Sequence, residues 1–123
     1  MEDINDLIKS LGSLHDSVLR KLVWRPADNS LDLEMDDLYA NFFGLPEYQG
    51  PKKGVFIFSE VAHFEVQINL TVTGLMVYDW RLAKSDAGKY KSEILFSPAG
   101  RMIIECGQIE CVKDPSLRSN LHN

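Results

Sequence analysis

The chain has 123 residues, 45% hydrophobic and 25% charged, a composition that excludes a disordered polypeptide and suits one domain around a single core. Its net charge of -5 opposes binding to nucleic-acid phosphates over the molecule as a whole. No apolar run approaches the roughly 18 residues of a membrane span, and Met1-Glu2-Asp3 lacks the basic flank of a secretion signal, so a cytoplasmic protein without a membrane partner is expected.

From Asp3 to Leu11, Ile4, Leu7, Ile8 and Leu11 recur at helical spacing, with Asp3 as the cap and Gly12 as the stop; this predicts a short amphipathic helix. After Ser13-Leu14-His15-Asp16, residues 17–25 are rich in β-branched and aromatic side chains and end at the turn Pro26-Ala27-Asp28-Asn29. Leu31, Leu33 and Met35 then alternate with Asp32, Glu34 and Asp36, which predicts a hairpin with one wet, acidic face. Between Asp37 and Gly54 the periodicity fails. Gly44, Pro46, Gly50 and Pro51 accompany Tyr39, Phe42, Phe43 and Tyr48 there, and so many large apolar groups in an irregular connection imply packing over the core or a contact surface.

From Val55 onward the pattern is that of strands. Phe56 and Phe58 are followed by Phe64, Val66, Ile68 and Leu70 alternating with polar residues. Thr73-Gly74 supplies a turn, and Met76, Tyr78, Trp80 and Leu82 repeat the alternation against Val77, Asp79 and Arg81. Residues 90–96, 101–106 and 108–112 complete the set, punctuated by turns at Ser85-Asp86-Ala87-Gly88-Lys89 and Ser97-Pro98-Ala99-Gly100. Short connections favour an antiparallel meander over βαβ units. The expected fold is therefore a single α+β domain over residues 1–113, mainly an antiparallel β-sheet meander with a short N-terminal helix, followed by a flexible tail over 114–123.

The chemistry-bearing residues are few. His15-Asp16 is the most reactive-looking pair, since a carboxylate orients an imidazole, but adjacent side chains on extended chain point to opposite sides and no Gly-x-Ser-x-Gly elbow is present. The pair instead marks an alternative pocket between helix and sheet, for a small ligand or a hydrolytic step. Asp32, Glu34 and Asp36 form an acidic ladder without the glycine and distal glutamate of a calcium loop, so the ladder reads as a solvated face or as a surface for a basic partner. His15, His63 and His122 make no metal motif. Gly44, Gly50 and Gly54 make no phosphate loop, and Lys52-Lys53 reads as a solubilising loop tip. Cys106 and Cys111 are neither a CxxC pair nor a zinc knuckle and read as reduced core or strand residues, on opposite faces if one continuous strand carries both and on the same side only if the chain turns sharply at Gly107-Gln108. No metal, cofactor or catalytic residue is expected, and an exposed sheet edge leaves room for a homodimer.

The order of short helix, Leu14-His15-Asp16, a strand ending near Trp24, the acidic Leu31 to Asp36 strand, the Phe58-Ser59-Glu60-Val61 step and a closing hairpin from Gly100 to Val112 resembles small, uncharacterised bacterial β-rich proteins. Some of these are grouped with immunity proteins of polymorphic toxin systems. The resemblance implies a non-enzymatic protein-binding module that covers a basic toxin with acidic surface, and it names no catalytic residue. The sequence departs from it at Glu60, where glycine is expected. The expected binding residues are Asp32, Glu34, Asp36, Tyr39, Phe42, Phe43 and Tyr48.

Overall fold

The computed structural model describes residues 3–68 and 75–113; Leu70, the Thr73-Gly74 turn, His122 and the tail expected over 114–123 lie outside the described residues. Helix α1, Ile4–Ser10, starts as its sequence dictates, with the Asp3 carboxylate accepting from the Asn5 N–H at 2.8 Å and Ile4 and Ile8 turned into the core. Its exit is not a simple glycine stop. Gly12, Ser13 and Leu14 form a left-handed turn at φ +65°, +57° and +59°. Left-handed backbone costs roughly 1–2 kcal/mol for each non-glycine residue. Fully buried Leu14 holds it, together with bonds from the Ser17 amide to the Leu14 carbonyl (2.9 Å) and from the Asp16 amide to that of Val77 (2.9 Å). No helix among the described residues is long and apolar enough to cross a membrane.

Eight strands follow: β1 Val18–Arg25, β2 Ser30–Met35, β3 Gly54–Ser59, β4 His63–Gln67, β5 Leu75–Lys84, β6 Tyr90–Ser97, β7 Arg101–Cys106 and β8 Gln108–Val112. They form one antiparallel sheet in the order β4-β7-β6-β5-β1-β2-β3-β8, so the α+β fold with a largely sequential meander is the one expected. The order also shows that the sheet is rolled. β4 lies at one edge, yet only residues 60–62 separate it from β3 near the other; β7 and β8 are divided in the same way by Gly107 alone. The two segments therefore run as one bent ribbon across the seam, with the Gly107 amide donating to the Ser59 carbonyl at 3.0 Å and the Ala62 amide to that of Glu105 at 2.8 Å. Rolling removes much of the exposed edge that a flat sheet would carry.

Inside the roll, Leu31, Leu33, Met35, Phe56, Phe58, Val77, Trp80, Ile94, Phe96, Met102 and Ile104 join the helix residues in one apolar cluster. Trp80 is the aromatic centre, edge-on to Phe56 at 4.7 Å and stacked with Phe58 at 6.0 Å between centroids. Trp24, by contrast, is 49% exposed at the far end of β1.

Three local expectations are corrected. A bulge between Val77 and Asp79 breaks the alternation of β5, so Val77 and Trp80 face inward while Met76 and Tyr78 are exposed. The outer face of β2 is drier than expected: side chains from the flanking strands crowd over it, so that Asp32 is only 6% exposed beside Arg25, while Glu34 is partly exposed. Cys106 and Cys111, although an odd number of residues apart, both turn inward, because the bend at Gly107 resets the alternation. Both are free thiols.

The bend opposite Gly107 has Glu60 at φ +55°, a left-handed position that glycine adopts without strain. Replacing Glu60→Gly relieves that strain, and a urea melt should show a gain of about 1 kcal/mol. An unchanged or lower midpoint would show that Glu60 is held there by favourable contacts rather than against its backbone preference.

Candidate functional site

The most constrained part of the molecule outside the sheet is the segment from Asp37 to Gly54. Asp37 is buried, and its carboxylate gathers three points of the loop, one local and two distant in the chain. Oδ1 accepts from the amides of Tyr39 (3.0 Å) and Lys52 (3.1 Å), and Oδ2 accepts from the Tyr48 hydroxyl at 2.5 Å. The Leu38 amide adds a bond to the Lys52 carbonyl at 2.8 Å, and fully buried Leu38 packs where a Cβ on Gly54 would stand. A carboxylate with three donors replaces the ladder bonds that an irregular segment lacks.

The pinned loop lies beside α1, where Gly12 lets the Asn41 side chain approach its backbone closely. Between them is a cleft of about 490 Å³. Its apolar wall is built by Leu7 and Leu11 from the helix and by Tyr39, Phe42 and Tyr48 from the loop; Ser10, Glu47, Gln49, Gly50, Lys52 and Lys113 complete the lining. Tyr39 and Phe42 are tilted against each other at 6.4 Å, and Phe43 meets Tyr48 edge-on at 5.5 Å. Among the described residues, neither Lys52 nor Lys113 has a carboxylate within ion-pair distance. The loop aromatics thus divide between the two expected roles: Tyr39 packs against the core, Phe42 and Tyr48 line the cleft, and Phe43 is 79% exposed. Leu45 stands beside them, 46% exposed.

The acidic ladder is dispersed. Asp32 accepts from Arg25 Nε at 3.2 Å, and partly buried Glu34 lies opposite Lys21 and Val55. Asp36 lies beyond the end of β2, where Oδ1 accepts from the Val18 amide at 2.8 Å and prolongs the β1 pairing. Two of the three carboxylates are thus engaged in holding the hairpin. His15 and Asp16 do meet, at 3.4 Å between Nε2 and Oδ1, because Asp16 adopts φ +72° and escapes the alternation of extended chain. His15 Nδ1 donates to the Tyr78 carbonyl at 2.9 Å. The pair is solvent-exposed and lines neither the cleft beside α1 nor either of two smaller clefts, of about 250 and 230 Å³, on the outer face around Arg101 and Ile103. Among the described residues no group of three or more His, Cys, Asp or Glu side chains is placed to hold a metal ion.

Sequence reasoning missed Asp37, Leu7, Leu11, Lys52 and Lys113 as parts of one site. The bond from Tyr39 to Asp37 is a local Asx turn and was legible in principle; the bonds to Tyr48 and Lys52 span too much chain to leave a local signal.

Comparison with known proteins adds little to this geometry. No family model and no curated protein matches the chain. A crystal structure of an uncharacterised protein from Neisseria gonorrhoeae aligns with 79% of this chain and 90% of its own at 15% identity, with a TM-score of 0.44.

The bond to Asp37 pushes the Tyr48 hydroxyl from 10.0 up to about 12, and burial pushes each of the two thiols from 9.0 up to about 11. All three groups are neutral in the fold at neutral pH and harder to ionise than in the unfolded chain. Their contribution to stability is full below pH 9 and is lost as pH rises through 11 to 12. Thermal melts should therefore fall in this window, and Tyr48→Phe should remove the ultraviolet phenolate transition near pH 12. A Tyr48 transition at the ordinary tyrosine value would contradict the bond to Asp37.

Proposed function

We propose that the chain is a non-enzymatic, cytoplasmic protein-binding module whose contact surface is the Asp37 to Gly54 loop. The observation that carries this reading is the exposure of Phe43 (79%) and Leu45 (46%) on a loop closed at its base by Asp37. Large apolar groups on an ordered loop are suited to act as hot spots, because little conformational freedom is left to lose on association. The two free thiols accord with a reducing compartment. A toxin-neutralising role of the kind the resemblance implies would use this surface with Glu47 at its rim, rather than Asp32 and Asp36, which are engaged with Arg25 and Val18.

Photo-crosslinking in cells tests the proposal. Benzoylphenylalanine at position 43 should give a discrete protein adduct that the same probe at exposed position 91 on β6 does not give. With the captured partner purified, Phe43→Ser combined with Leu45→Ser should weaken binding by at least about tenfold without lowering the melting temperature. No adduct at 43, or the same adduct at both positions, would overturn the reading.

A further inference from the structure

We infer that the cleft between α1 and the aromatic loop is a binding site for a small organic anion with an apolar body, of the alkyl or aryl carboxylate class. The inference stands apart from the protein-binding proposal and needs no protein partner. A volume of about 490 Å³ lies within the range of small-molecule sites. The wall is apolar and aromatic, from Leu7, Leu11, Tyr39, Phe42 and Tyr48. Two of its hydroxyls are already engaged: that of Tyr48 donates to Asp37, and that of Ser10 donates to the Leu7 carbonyl at 2.7 Å.

Charge supplies the second argument. Lys52 and Lys113 border the cleft, and Glu47 is its single acidic lining residue. Among the described residues neither lysine is neutralised by an ion pair, so two cations border one apolar cleft in a chain whose net charge is -5. A neutral apolar ligand would draw nothing from the two ammonium groups, which stay hydrated in its presence, and a cationic one would be repelled by them. A ligand with an alkyl or aryl body along the wall and one anionic group at the lysines satisfies both features. Lysine is a compact point charge and not a planar fork. The site therefore sets the sign of the ligand's charge and the size of its body, and does not demand bidentate geometry.

Decanoate, with decanol as a neutral ligand of equal chain length, tests this in amide NMR titrations of the purified chain. Decanoate should bind saturably at one site and shift the amides of Leu7, Leu11, Phe42, Tyr48 and Gly50, with decanol clearly weaker. Combined Lys52→Ala and Lys113→Ala, both exposed positions, should leave the melting temperature unchanged and raise the decanoate Kd roughly three- to tenfold, toward that of decanol. Equal affinity for the two probes, indifference to the lysine substitutions, or shifts centred away from the cleft would each overturn the inference. Phe43→Ser should leave decanoate binding intact, so failure at this site and failure of the proposed protein contact can be told apart.

Discussion

The Asp37 to Gly54 segment, which carries the exposed aromatic residue Phe43 and one wall of the cleft, is gathered on one buried carboxylate. Asp37 accepts from the Tyr39 amide, the Lys52 amide and the Tyr48 hydroxyl, and so ties the beginning, middle and end of an irregular segment to one point. Long connections without regular structure are uncommon in compact domains because their backbone groups need partners and their disorder opposes folding. Here one side chain takes two of those amides and the Tyr48 hydroxyl, and backbone bonds such as those from the Leu38, Phe42 and Leu45 amides take others. The consequence is a loop stiff enough to hold Phe43 in solvent and to form one wall of a cleft against α1.

The sheet sets where that loop can act. Its two edges are built from the same pair of chain segments, bent at residues 60–62 and at Gly107, so the strands wrap a core centred on Trp80, Phe56 and Phe58. Rolling leaves little flat surface for a partner. On the outer face of β5, β6 and β7 lie exposed ion pairs from Arg81 to Asp79 and Glu93 and from Arg101 to Glu93, each worth at most about 1 kcal/mol. These solvate the roll. The cleft forms where helix and loop meet, and there the wall is apolar and two cations lack ion-pair partners among the described residues.

Local pattern made much of the fold legible. The Asp3 cap, the helical spacing of Ile4 and Ile8, the Pro26 to Asn29 turn and the alternation of Leu31, Leu33 and Met35 all act over a few residues and appear where expected. What alternation does not carry is whether side chains from the neighbouring strands close over an outward-facing residue. For that reason Asp32 is buried beside Arg25 and not displayed on an acidic surface. Nor does it register a single extra residue, as at the β5 bulge that exposes Tyr78, or a left-handed residue, as at Asp16, which brings His15 and its carboxylate together. The candidate site was half visible. Its aromatic residues stood out by composition, whereas the carboxylate that holds them and the helix side chains that face them come together only through the fold.

Native-state hydrogen exchange on Asp37→Ala, compared with the unaltered chain, tests the central claim most directly. If the carboxylate alone closes the loop, the amides of Tyr39 and Lys52 lose protection and exchange as open-loop amides do, while those of Leu33, Phe56 and Ile104 in the sheet stay slow. Unchanged protection at Tyr39 and Lys52 would show that the loop is held by other contacts. Loss of protection throughout the sheet would show that Asp37 supports the whole fold rather than the site.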